Sequence, residues 1–350
     1  MAASTFDETS LITLADYESV FRRLHANQYF TNHGPLAQEF EATIEAFLEI
    51  DHVVAVGNES LTLLLALASL ELQGDLVVPA WGGGLATEIA RSLRLSVRYC
   101  DVDAMTHQMS ISTLQQVVDD EVAAVCLVEM YGSRCDPDII DWLVEKNKQV
   151  VILALESFAS ESIAGRAISN PSVVTIFGFG PQAVLSATQG GAAATENEEL
   201  AERCRNIRSS YGARRPIPVT ATCNGRFSEF QAGIGLINYG YLERVIQRNH
   251  AIASVYGAAI ADASGVMQFR FAETTVANGQ CYPIIVNADS RAAFGAAMRS
   301  VGVQVSEGKP SHSCCRGASE AAASVAFLPV NNEAADGLAE RIAEEIILLK

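Results

Sequence analysis

Few residues in this chain are of a type and spacing that suggest chemistry. PSHSCCRG, residues 310–317, sets His312 close to Cys314 and Cys315. An imidazolium beside a thiol lowers its pKa and makes a thiolate nucleophile. Members of a Cys/His dyad are usually distant along a chain, so these three read more simply as loop residues. VEMYG, residues 128–132, closes an apolar run with Glu129 and Tyr131. Groups just past a strand end lie on the ligand side of an α/β sheet, where a carboxyl or a phenol can move protons. Glu156 follows a second such run. The other cysteines, at 100, 126, 135, 204, 223 and 281, form no CxxC and no paired Cys/His spacing, which argues against zinc and against a disulfide framework. Against these stands a silent stretch: from Ala167 to Thr195, FGFGPQAVLSATQGG included, there is no charged residue.

The elements that must position these groups are legible in outline. A chain of 350 residues, 49% hydrophobic and 19% charged, can bury a sizeable core. A formal net charge of −17 disfavours nucleic acid and anionic membrane surfaces, which reward clustered Lys and Arg. The pair Arg214-Arg215 is too small to reverse that. MAASTFDETS lacks the pattern of a secretory signal, and LTLLLALASLEL, residues 61–72, is too short to span a bilayer, so a cytoplasmic location is expected.

PLAQEFEATIEAFLEI carries Leu36, Phe40, Ile44 and Phe47 at helical period. HVVAV, DLVVPA, SVRYCDVD, VAAVCLVEMYG, QVVILAL and SVVTIFGF predict strands, with SLTLLLALASLEL and DPDIIDWLVEKNK as helices between them. Near-continuous apolar strands alternating with helices predict an α/β fold, its parallel sheet covered on both faces. SEFQAGIGLINYGYLERVIQRNHAIASVYGAAI predicts a long helix linking a large domain, residues 1–240, to a smaller α+β domain, residues 241–350. The smaller domain is expected to hold CYPIIVNA, a helix around RAAFGAAMRSVG, VQVSEG, VAFLPV and a final helix.

Three segments together resemble the DegT/DnrJ/StrS family of aminotransferases, which use pyridoxal phosphate (PLP) and mostly act on nucleotide-linked keto sugars. NHGPLAQEFEATIEAFL resembles the family opening, CNGRFSEFQAGIGL its Asn-x-Arg-Met-Ser-Glu segment, and VAFLPV its Leu-Pro strand. The resemblance implies the type I PLP-dependent transferase fold, with a mostly parallel seven-stranded sheet, a small C-terminal domain and a dimer with sites at the interface.

It also implies where the chemistry belongs. The family lysine, eight residues before the second glycine of a Gly-Gly pair, falls on Ala183, with Phe177, Phe179 and Pro181 in register. A one-residue slip offers only Gln182 or Val184, and the nearest upstream lysine is Lys148. The aspartate that keeps the pyridinium protonated falls on Ala154, a register fixed by Gly165-Arg166, and the glutamine three positions on falls on Ser157. The aromatic that stacks on the ring falls on Gly83, and the phosphate-binding serine before the lysine falls on Gly178. The Ser-Gly-Thr phosphate turn becomes Asn58-Glu59-Ser60, with a carboxylate at the helix N-terminus where an anion belongs.

Asn224 and Arg226, by contrast, keep the family residues. In the family this segment reaches the phosphate of the neighbour's cofactor; equally, it can cap and brace the helix beginning at Ser228, with Ser228 and Glu229 at its N-terminus. The substitutions together imply a degenerate PLP site, and no bound PLP is expected. The leading expectation is a non-transaminating pseudo-subunit or sugar-nucleotide-binding homologue in deoxy-sugar, polysaccharide or antibiotic biosynthesis. It would be a homodimer or a heterodimer with an active aminotransferase paralogue. The alternative is a cofactor-independent enzyme that reuses the pocket with Glu129, Tyr131, Glu156, His312 or a cysteine as acid–base groups.

Overall fold

In the computed structural model, residues 12–162, 165, 169–209, 215–219, 221–261, 263–272, 275–304, 315–330 and 337–349 are described. Two helices, α1 (Leu14–Asn27) and α2 (Pro35–Leu48), precede an alternating series. That series runs β1 (His52–Val56), α3 (Glu59–Leu70), β2 (Asp75–Pro79), α4 (Gly84–Ser92), β3 (Val97–Cys100), the single turn α5 (Ile111–Leu114), β4 (Val122–Val128), α6 (Pro137–Glu145), β5 (Gln149–Ala154), β6 (Val173–Gly178), β7 (Gly191–Thr195) and α7 (Glu198–Arg208). The 33-residue α8 (Glu229–Ala261) leads to β8 (Val266–Gln268), β9 (Tyr282–Val286), α9 (Arg291–Ser300), α10 (Arg316–Ser324), β10 (Val325–Leu328) and α11 (Leu338–Ile347).

The first seven strands form one sheet in the order β1-β7-β6-β5-β4-β2-β3. Only β7 runs against its neighbours; β2, β3, β4, β5 and β6 pair in parallel. This is the mostly parallel seven-stranded sheet expected from the sequence. Its Val-, Ile- and Leu-rich strands are buried on both faces, with α2, α6 and α8 contributing to one core cluster and α3 and α4 to another. β7 was not among the runs that predict strands. GAAAT has no β-branched residue before its last position, yet all five residues are buried. The small side chains have a packing reason: a Cβ on Gly191 would lie 2.5 Å from Thr62 Oγ1 and 3.2 Å from the Glu59 Cα, so the start of α3 is pressed onto this strand.

β8, β9 and β10 make a second, antiparallel sheet with its own core of Tyr256, Ile284, Val286, Phe294, Met298 and Ile342. α8 serves both parts, with Ala232, Ile234 and Leu242 in the large core and Tyr256, Ala259 and Ile260 in the small one. The boundary expected at 240/241 therefore falls inside a continuous helix. In VQVSEG, Val303 and Gln304 are not in a strand, and the rest lies outside the described residues; β8 supplies the third strand of the small sheet.

Two helix starts meet at the segment after Arg226. Ser228 and Gln231 form a reciprocal cap on α8, with the Gln231 N–H donating to Ser228 Oγ (3.1 Å) and the Ser228 N–H to Gln231 Oε1 (3.1 Å). Glu229, expected to join that cap, instead turns to α2. Its carboxylate is fully buried and accepts from the N–H groups of Leu36 and Ala37, each at 2.9 Å. Gly34, the residue before α2, has no side chain to cap with, and a Cβ there would meet the Tyr29 ring at 2.2 Å. The cap thus comes from a residue distant along the chain and ties the N-terminal helices to α8. Replacing Glu229 by Ala leaves two buried donors unpaired, and an equilibrium urea titration is expected to show a loss of about 3 kcal/mol.

Candidate functional site

The carboxyl ends of β4, β5 and β6 share one edge of the sheet, and residues just past them were expected to meet a ligand. Glu129 does not. It is 2% exposed and turned inward, where Oε1 accepts from Arg134 Nε (2.9 Å) and the Cys135 N–H (3.0 Å) and Oε2 accepts from Ser157 Oγ (2.5 Å). Arg134 also donates to the Ser160 carbonyl at 2.9 Å. Glu129 and Ser157, expected respectively at a ligand and at the family glutamine position, are one buried brace between the β4 and β5 loops.

Tyr131 is likewise built in. Its φ of 62° is the left-handed conformation, and its N–H donates to Glu156 Oε2 at 2.6 Å. Its hydroxyl accepts from Trp81 Nε1 (2.8 Å) and lies 3.1 Å from His107 Nδ1, while its ring packs against Phe269 and Phe327. The cavity beside Trp81 and His107 holds only about 10 Å³, room for one water. Tyr131 is therefore a buried post, 1% exposed, rather than the pocket residue expected. His107 was not singled out from the sequence, since a lone histidine with no ligand spacing carries no signal.

Glu156 is half-buried, and burial raises its carboxyl pKa against the opposing Tyr131 N–H bond. Asn278 holds the backbone of this loop, donating to the Glu156 (2.9 Å) and Phe158 (2.7 Å) carbonyls. His312 and Cys314 lie outside the described residues. Cys315 precedes α10, whose first N–H groups, at Gly317 and Ala318, are capped by Asp101 at 3.0 Å each. Burial pushes the thiols of Cys100, Cys126, Cys135, Cys204, Cys223 and Cys281 upward, to about 11 at Cys100 and about 12 at Cys126. Raised pKa values keep these thiols protonated rather than poised as thiolates. Among the described residues no group of three His, Cys, Asp or Glu could hold a metal, and no helix is long and apolar enough to cross a membrane.

Ala154 is the last residue of β5, fully buried and paired with Phe177 of β6. Ala183 is half-buried in the turn after β6, its N–H bonded to the Gly180 carbonyl at 3.1 Å, and the next N–H, of Val184, donates to Gln280 Oε1 at 3.2 Å. Gly83 is the residue before α4, where a Cβ would lie 2.2 Å from the Pro79 carbonyl oxygen. No side chain fits there without moving the turn. Ser60 is exposed in the first turn of α3, which Asn58 caps by accepting the Leu61 N–H at 2.8 Å.

Glu59 comes between Asn58 and Ser60. It is half-buried, and its Oε1 lies 2.9 Å from where a Cβ of Gly178 would sit and 2.8 Å from that of Gly180. Burial raises its pKa against a hydrogen bond from the Gly180 N–H. Asn224 and Arg226 stand beside this turn: Val56 and Arg226 form a bridge, and the Gly57 N–H donates to the Gly225 carbonyl at 2.9 Å. Arg226 Nε donates to Asn224 Oδ1 at 3.3 Å; Asn224 is exposed and Arg226 half-buried.

The buried histidine has a measurable consequence. Burial outweighs the Ala104 backbone and the Asp103 carboxylate and depresses the His107 pKa from 6.5 to about 4. In this window the unfolded chain binds a proton that the folded chain does not, so stability is held above pH 6.5 and lost as pH falls toward 4. Between pH 7 and 5 the wild type is expected to lose about 2 kcal/mol more than His107→Gln in parallel urea titrations. Titrations common to both proteins cancel in that difference.

Comparison with known proteins agrees with the fold. A family model described as the DegT/DnrJ/EryC1/StrS aminotransferase family matches residues 15–344. The dTDP-4-amino-4,6-dideoxy-D-glucose transaminase of Shigella dysenteriae is 22% identical over 285 residues, covering 81% of this chain and 77% of that protein. The dTDP-3-amino-3,4,6-trideoxy-alpha-D-glucose transaminase of Streptomyces venezuelae is 29% identical over 257 residues, covering 71% of this chain and 66% of that protein. Among solved structures, DesI in the presence of its TDP-sugar product superposes with a TM-score of 0.87 at 23% identity, covering 96% of this chain and 90% of that one. DesV of S. venezuelae in complex with a ketimine intermediate gives 0.86 at 21% identity, covering 95% and 94%. The fold is that of the PLP-dependent aminotransferases, and the chain belongs to the DegT/DnrJ/EryC1/StrS aminotransferase family.

Proposed function

We propose that this chain is a sugar-aminotransferase family member that does not run transamination in its own site, and that it serves as a pseudo-subunit beside an active partner on a nucleotide-linked sugar. The observation that carries the reading is the joint character of the replacements. At the lysine position stands the methyl group of Ala183, at the aspartate position the buried methyl of Ala154, and at the ring-stacking position a Gly83 turn with no room for a side chain. A Schiff base needs an amine, and the cofactor's electron sink needs a carboxylate at the pyridinium nitrogen. The residues present do not fit a covalently held PLP.

Asn224 and Arg226 support the partner half of the reading. They are the family residues in a chain that has lost the others, and they lie at the surface beside the α3 start. The relatives named above act, by their names, on dTDP-linked amino sugars, which makes a nucleotide-linked deoxy sugar the favoured ligand class. A second reading rests on Glu156, whose half-buried carboxyl has a raised pKa and suits a general acid working without a cofactor.

Ala183→Lys alone is expected to leave transamination at background in a coupled assay, because Ala154, Gly83 and the Glu59 turn remain. Robust turnover from that one change would contradict the reading. The partner half is tested by co-expressing this chain with an intact family homologue and purifying the mixed dimer. Arg226→Ala should weaken the partner's PLP affinity about 10-fold or more, as expected for a lost charge-assisted contact to phosphate. If no mixed dimer forms, or if the partner's PLP affinity is unchanged, the Glu156 reading becomes the better one.

A further inference from the structure

We propose that Glu59 is a built-in occupant of the anion subsite at the start of α3, its carboxylate filling the space a phosphate would take and keeping phosphate groups out of that one subsite. The inference rests on the functional reading above in that both concern the same stretch of sheet edge, but it concerns what fills that stretch rather than what was lost from it.

Three contacts define the seat. The Glu59 Oε1 lies 2.9 Å and 2.8 Å from the positions that Cβ atoms on Gly178 and Gly180 would take, so each glycine leaves room that this carboxylate uses. The Gly180 N–H donates to it. Below it, the α3 backbone is fixed, because the Glu59 Cα is 3.2 Å from where a Gly191 Cβ would be and the Asn58 side chain caps the Leu61 N–H. A first-turn acidic residue is ordinarily a solvated partner of the helix dipole. Glu59 differs, because it is half-buried and turned toward the sheet.

Electrostatics explains why the arrangement excludes rather than recruits anions. Asn58 already takes the Leu61 N–H, so the positive end of the 12-residue helix dipole and a backbone donor at Gly180 are what favour one anion here. The Glu59 carboxylate is already that anion. The residues that face Glu59, namely Gly178, Gly180 and Gly191, carry no positive charge to offset a second negative one, and Arg226 beside the turn is bonded to Asn224 Oδ1. A ligand entering this space must therefore be uncharged or cationic at the end that meets α3, and a phosphate must first displace Glu59.

The test uses the full-length chain and inorganic phosphate as the probe, followed by the amide NMR resonance of Gly180 and by the thermal midpoint. In wild type, millimolar phosphate should leave the Gly180 amide in place. In Glu59→Ser and Glu59→Ala it should move saturably, with phosphate affinity raised about 10-fold or more and a matching rise in thermal midpoint. Saturable movement of Gly180 in wild type overturns the proposal even if neither variant folds, and so does a folded variant with no gain in phosphate affinity. A wild-type chain that is trapped as a PLP adduct by borohydride would instead remove the functional reading. A chain that is not trapped, and whose Glu59 variants gain no phosphate affinity, leaves that reading standing and removes only this one.

Discussion

Six of the seven strands in the large sheet point the same way, and that one constraint decides what the rest of the molecule can do. Parallel strands deliver every residue just beyond their carboxyl ends to a single edge. At that edge the backbone has unpaired groups that need partners, and in this chain side chains provide them. Glu129 takes the Cys135 N–H, Glu156 takes the Tyr131 N–H, and Glu59 takes the Gly180 N–H. Each of these three carboxylates braces a loop of its own chain.

The cost of this arrangement is high charge burial, offset by pairing. Glu129 and Arg134 are nearly inaccessible and bonded at 2.9 Å; Glu41 and Arg208, on the far side of β1, repeat the pattern at 2.7 Å, with Arg208 also bonded to the Ala55 carbonyl. Removing one member of such a pair leaves a buried charge, a loss of about 3–5 kcal/mol, whereas the intact pair contributes little beyond an apolar equivalent. The braces therefore act mainly as geometry. They fix the loops after β4 and β5 so that the left-handed turn at Tyr131 and the aromatic cluster of Trp81, His107, Phe269 and Phe327 close over the edge.

How much of this was legible in the sequence depended on whether a residue's type or its direction was at issue. Strands rich in Val, Ile and Leu were readable, and so were the crossover helices, because burial on both faces leaves an unbroken apolar run. β7 was not, since GAAAT lost its β-branched signal to make room for Thr62 and the start of α3. α10, RGASEAAAS, has no apolar stripe and is held by Asp101 from outside. At the site, the strand-end rule located Glu129 and Tyr131 correctly but not where their side chains turn, which only the Ser157, Arg134 and Trp81 partners decide. The sequence likewise placed the Glu59 carboxylate at a helix start, while its turn toward Gly178 and Gly180 depends on a close approach of α3 that spacing cannot report.

The central claim is that the groups that hold the family's cofactor have been lost as a set, not one at a time. It is tested most directly by calorimetric titration of PLP into the purified wild-type chain near neutral pH. The account predicts no saturable one-to-one heat at micromolar to millimolar PLP, because in the proposed register Ala183, Ala154, Gly83 and Asn58-Glu59-Ser60 stand where the amine, the pyridinium partner, the stacking ring and the phosphate turn belong. A one-to-one isotherm with micromolar affinity would contradict it and would mean that this edge of the sheet still accepts the cofactor.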